Sequence, residues 1–134
     1  MKVKIIYWSG TGNTEKMANA INDAMLLKYD TEMKFVKDAK KDDVVDSDII
    51  LLGCPAMGAE ELEADEFQPF YDSVKELLKN KKVGLFGSYA WAEGEWMGNW
   101  IADANACGID IVDSIIVHED NINSLDVSSF VEKF

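Results

Sequence analysis

Ile49-Ile50-Leu51-Leu52 is apolar at every position. Successive side chains of a strand point to opposite faces, so a strand built only from such residues needs cover on both. A parallel sheet provides it, because its crossover helices lie on both faces. Val83-Gly84-Leu85-Phe86-Gly87 is a second run of this kind. Around these runs the chain alternates. Lys2 to Tyr7 reads as a strand, and about Thr14 to Lys28 as a helix with Met17, Ala18, Ile21, Ala24 and Met25 at helical spacing. Thr31 to Val36 reads as an edge strand, and Lys37 to Asp46 as a polar connection with a short helical turn at Val44 and Val45. One helix carries Phe67, Phe70, Val74, Leu77 and Leu78 on one face; another runs from about Glu95 to Cys107, with Gly108 just beyond it. Ile111 to Val117 is the last strand. Ser124 is expected to cap a final helix ending at Phe134, with Leu125, Phe130 and Val131 turned inward. This alternation predicts one α/β domain over residues 1–134, a parallel sheet with helices on both faces and right-handed crossovers.

Charge narrows the function. The formal net charge is −12, and every one of the 13 basic residues is lysine. Nucleic-acid binding needs positive charge to meet phosphates and is excluded. Without arginine there is no guanidinium fork to clamp a phosphate and no phosphatase of the Cys-loop-Arg kind. The acidity suits steering toward a basic protein partner. No apolar run approaches the roughly 20 residues of a membrane span, and the first residues lack a secretory pattern. Cys54 and Cys107 have no metal or redox spacing, so a cytoplasmic protein with reduced thiols is expected.

Ligands of such sheets sit at the carboxyl ends of the strands. Four loops meet there: Ser9 to Thr14, Pro55 to Glu60, Ser88 to Gly94, and His118 to Asn121. The first follows a strand and opens a helix. Gly10 and Gly12 allow a tight turn that gathers N–H groups at a helix N-terminus. Taken alone it is either a helix cap or a phosphate cradle. It lacks the lysine of a P-loop, and Glu15 stands where a dinucleotide fingerprint has its third glycine. The second loop holds an apolar turn, Met57-Gly58; the third holds Tyr89-Ala90-Trp91. A ligand with a phosphate tail and a flat aromatic head would use all three. Trp91, in a glycine-flanked acidic loop, reads as an exposed platform. Trp96 and Trp100, on one helix face, read as core. Cys54 and Cys107 read as small buried hydrophobes. His118 is given no catalytic role. Glu60 to Glu66 is first a solvated acidic surface and second a docking face.

With YWSGTGNT (Tyr7 to Thr14), GCPAMG (Gly53 to Gly58) and GSYAWAEGEW (Gly87 to Trp96), the chain resembles the short-chain flavodoxins of anaerobic bacteria. The resemblance covers nearly the whole chain and is weakest after about Ile111. Flavodoxin is itself the standard example of strand order 2-1-3-4-5 with FMN at the switch point, so the flavodoxin-like, five-stranded, three-layer fold in that order is carried over from the resemblance. The resemblance implies one non-covalent FMN. Ser9, Gly10, Thr11, Gly12, Asn13 and Thr14 match the phosphate loop. Met57 matches the residue on the inner flavin face, and Trp91 the outer aromatic. Glu60 matches the acceptor for flavin N3–H; Ser88, Tyr89 and Ala90 match the segment at the pyrimidine end. The Gly58-Ala59 peptide matches the one that turns when an electron arrives, and Pro55, Ala56 and Gly94 complete these loops. Ala90 and Ala92 stand where the family usually has glycine, and Ala59 replaces a common polar residue.

The implied function is a low-potential one-electron carrier, not an enzyme. It would cycle between the FMN semiquinone and hydroquinone and dock transiently, as a monomer, on redox partner proteins with basic faces. One carboxylate at about 10 Å, at an effective dielectric near 40, costs an anionic flavin roughly 0.8 kcal/mol, or about 35 mV. Several acids, with an apolar sandwich around the ring, make a strong reductant. The competing functions are an FMN-dependent reductase and a flavodoxin-like activator of a radical enzyme. A receiver-type signalling domain needs acids after the first strand, where this chain has Tyr7, Trp8 and Ser9.

Overall fold

The computed structural model describes residues 1–91 and 93–134. Ala92, one of the two alanines set against family glycines, lies outside the described residues. Strands β1 (Lys2–Tyr7), β2 (Asp30–Phe35), β3 (Ile49–Gly53), β4 (Lys82–Tyr89) and β5 (Ile111–His118) form one parallel sheet in the order β2-β1-β3-β4-β5. The sheet splits β3 as its sequence requires. Ile49 and Leu51 join the core under α1 (Asn13–Leu26) and α5 (Ser128–Glu132). Ile50 and Leu52 join the core under α2 (Lys41–Val45), α3 (Phe67–Leu78) and α4 (Glu95–Ala106). All four are fully buried, each contributing about 2 kcal/mol relative to exposure. Trp96 and Trp100 are core, as their spacing predicts; Trp100 packs edge-on against Phe67 and Tyr71.

The end of the chain departs from expectation. Residues Glu119–Ser124 form a 3-10 turn, Leu125 is extended, and α5 begins only at Ser128. The carboxylate of Asp126 accepts the Ser128 N–H at 2.9 Å and is also bonded to its hydroxyl. This starts the helix three residues later than a Ser124 cap would. Phe130 and Val131 are nevertheless buried, as the sequence predicts. Helix α1 stops at Leu26 rather than Lys28, because the N–H groups of Lys28 and Tyr29 both turn back to the Met25 carbonyl.

Helix α3 is anchored by a residue from the acidic stretch. Glu63 is buried, and its carboxylate accepts N–H bonds from Asp65 at 3.0 Å and from Glu66 and Phe67 at 2.8 Å. Burial pushes its pKa up, but those three bonds outweigh it and hold it below the ordinary 4.5. Glu63→Ala should lower folding stability by about 2 kcal/mol at pH 7. Because the folded pKa is depressed, the contribution is complete above about pH 4.5 and disappears as pH falls through the folded value. Urea unfolding of both proteins should therefore show the difference shrinking below that pH; a gap that does not depend on pH would refute the assignment.

Candidate functional site

The carboxyl ends of β1, β3, β4 and β5 lie along one edge, and their loops are bonded to one another. Trp8 N–H donates to the Gly53 carbonyl at 3.0 Å, and Ala56 N–H to the Ser88 carbonyl at 3.0 Å. The hydroxyls of Thr14 and Ser88, both buried, are 2.9 Å apart. The Nε2 of His118 lies 3.1 Å from the Ala90 carbonyl oxygen. Between these loops lies a cavity of about 300 Å³, the lower end of the range for small-molecule sites.

One end of the cavity is the glycine turn. Gly12 is the N-cap of α1 with φ 97, a conformation natural to glycine, and it has no side chain to cap the helix. Instead the Ser9 hydroxyl oxygen accepts the N–H groups of Gly12 and Glu15, each at 3.2 Å. With both lone pairs engaged, its own O–H remains available as a donor. The N–H groups of Gly10, Thr11, Asn13 and Thr14 have no acceptor among the described residues. The turn therefore has donors to offer at a positive helix end and no carboxylate free to fill them. Glu15, the nearest acid, is tied to the Tyr7 hydroxyl at 2.9 Å. Burial, reinforced by that bond, pushes the Tyr7 pKa up to about 12, so its phenol stays neutral.

The other end is apolar. Met57, Pro55 and Ala56 line it from β3, and Tyr89, Ala90 and Trp91 from β4. Trp91 is 95 % exposed, so its indole projects at the mouth with a face open to a ligand. Met57 and Glu61 exchange both N–H···O bonds at 2.9 Å, closing a hairpin over Gly58, Ala59 and Glu60. Gly58 has φ 48 and Glu60 φ 58. The left-handed conformation suits Gly58; at Glu60 it costs about 1 kcal/mol. Glu60 is held there because its Oε2 accepts the Trp96 N–H at 3.0 Å at the start of α4.

Ten of the expected contact residues line the cavity: Gly10, Thr11, Asn13, Pro55, Ala56, Met57, Ser88, Tyr89, Ala90 and Trp91. Ser9, Gly12 and Thr14 complete the same turn without being among the residues that line the cavity. Gly94 caps α4 with φ 92. Ala59 and Glu60 border a second cavity, about 460 Å³, between the hairpin, α3 and α4. That larger space is lined by carboxylates of Glu60, Glu61 and Asp103, an unfavourable setting for a phosphate. Two lining residues, Trp8 and Glu119, are outside the expected contact set. Trp8 sits in the first motif, with its ring against Gly10 and its indole N–H donating to Glu66 at 3.3 Å. Glu119 is the first residue after β5, where the rule for parallel sheets points. Cys54 is buried, and burial pushes its thiol up to about 12, so it is inert.

The family model for flavodoxin matches residues 5–121. A flavodoxin of Megasphaera elsdenii is 50% identical over 118 residues, covering 87% of this chain and 86% of that protein. A flavodoxin of Clostridium beijerinckii is 42% identical over 116 residues, covering 86% and 84%. The solution structure of two-electron reduced Megasphaera elsdenii flavodoxin superposes with a TM-score of 0.82 at 49% identity, covering 89% of each chain. With that fold, that cavity and those relatives, the chain belongs to the flavodoxin family and is an FMN-binding electron-transfer protein that passes electrons to redox partner proteins rather than an enzyme.

Proposed function

We propose that FMN occupies the 300 Å³ cavity, phosphate on the Ser9 to Thr14 turn and ring between Met57 and Trp91. One observation carries the assignment: a turn of unpaired N–H donors and an exposed indole face share a single cavity. The bound flavin supplies the one-electron chemistry; the chain holds it and sets its potential. The N–H groups of Gly10, Thr11, Asn13 and Thr14, with the Ser9 O–H, hold the phosphate by directed bonds. No arginine neutralises it. Ser88 and Tyr89 bound the ring edge, and Pro55, Ala56, Ala90 and Gly94 shape the loops around it. Glu60 Oε1, with no partner among the described residues, is left to accept the ring N3–H. The Gly58-Ala59 peptide, exposed and in a turn where Gly58 and Glu60 are left-handed, is the unit that would turn its carbonyl toward a ring N–H. Two low-energy turn conformations are open to glycine there.

Acids keep the potential low. Glu119 lines the cavity, and Glu60 and Glu61 belong to the hairpin beside it. Each disfavours added negative charge on the ring. The same acids, on a chain of net charge −12, suit brief docking on partners with basic faces, with the protein acting as a monomer. A cytoplasmic location is consistent with two free thiols, Cys54 and Cys107. Among the described residues no helix is long and apolar enough to cross a membrane. Comparing FMN with riboflavin tests the phosphate assignment. Two charge-assisted bonds alone are worth about 3 kcal/mol, so the apoprotein should bind FMN at least about 100-fold more tightly. Equal affinities would remove the cradle.

A further inference from the structure

His118 ends β5 and is the only histidine in the chain. Its half-buried ring meets three groups. Nδ1 lies 3.1 Å from the Asp120 N–H and accepts it, so His118 caps the 3-10 turn. Nε2 lies 3.1 Å from the Ala90 carbonyl oxygen. The ring stands edge-on to Tyr89, with centroids 5.3 Å apart at 88°. A ring nitrogen that accepts an N–H bond carries no proton, so the neutral imidazole has its hydrogen on Nε2. There it donates to Ala90. The Asp120 backbone thus selects the tautomer that the Ala90 carbonyl needs. The Asp120 carboxylate, 3.6 Å from Nδ1, is the charged group against the ring, and Tyr89 is the titratable one.

Ala90 and Trp91 are exposed and belong to neither strand nor helix. The Ala90 carbonyl has no other donor among the described residues. We propose that His118 is a positioning residue for the flavin site: its Nε2–H tethers the Ala90 carbonyl and so fixes the loop that presents Trp91. The proposal rests on the assignment of FMN to this cavity. It gives an exposed platform a backbone anchor in place of packing of its own. An aromatic stack is worth its full energy only when the ring is already placed.

Two substitutions separate the tether from the cap. Glutamine at 118 carries an amide N–H at about the reach of Nε2 and no acceptor at the place of Nδ1. Asparagine places an acceptor near Nδ1 and falls short of Ala90. FMN affinity is measured at pH 8 for the wild-type protein, His118→Gln and His118→Asn. Nitrogen NMR of the wild-type holoprotein reports the tautomer. The expected result is an Nε2–H imidazole, a dissociation constant within twofold of wild type for His118→Gln, and one about fivefold larger for His118→Asn. An Nδ1–H imidazole, or glutamine weakening FMN as much as asparagine, would overturn the tether. A wild-type protein that binds FMN with no loss in either variant would also overturn it. A wild-type protein that fails to bind FMN would instead overturn the cavity assignment beneath it.

Discussion

Gly87→Ala should lower folding stability by about 3 kcal/mol, at the upper end for overpacking. A Cβ at Gly87 would lie 2.2 Å from the Cys54 carbonyl oxygen and 2.9 Å from the Trp96 ring. The first contact is with backbone, so no side-chain rotation relieves it. β3 and β4 would have to separate just before the loops that line the FMN cavity. Cys54 N–H donates to Phe86 and Ala56 N–H to Ser88, each at 3.0 Å, and both bonds flank the clash. FMN affinity should therefore fall together with stability. Chemical denaturation measures the first and flavin fluorescence the second. An alanine variant as stable as wild type would mean that the two strand ends are not this close.

Trp91→Ala should have the opposite profile. The indole is 95 % exposed and contributes little to folding, so the unfolding midpoint of the apoprotein should not move measurably. FMN affinity should fall about 30-fold, because stacking a planar ring on an aromatic side chain is worth about 2 kcal/mol. Trp91→Phe should recover most of it, since a smaller ring still offers a π face. The measurement is quenching of flavin fluorescence as apoprotein is added. Unchanged affinity for the alanine variant would exclude a stacking role for Trp91.

The sheet was legible because its central strands permit few alternatives. Ile49 to Leu52 has no polar residue to expose, and the helix periodicities at Met17 to Met25 and Phe67 to Leu78 are clear. The strand order itself came from the family resemblance. The tail was harder to read. Ser124 is a credible cap by residue type, but the bonds from Ser128 to Asp126 place the start of α5 further on. The three motifs fall on loops that line the cavity. They did not distinguish residues that touch a ligand from those that shape the turn. Ser9 illustrates this: its oxygen shapes the turn by accepting the N–H groups of Gly12 and Glu15, while its O–H stays free to donate. Glu63 and His118 were invisible for a related reason. Each acts on backbone groups, and nothing in the local sequence marks a side chain that will do so.

Redox behaviour tests the central claim that this cavity holds FMN for one-electron transfer. The purified, FMN-loaded protein would be reduced stepwise without oxygen while its visible spectrum is recorded. Two successive one-electron steps should appear, the second at the lower potential because nearby acids oppose negative charge on the ring. A single two-electron step, or a protein that takes up no flavin, would contradict it.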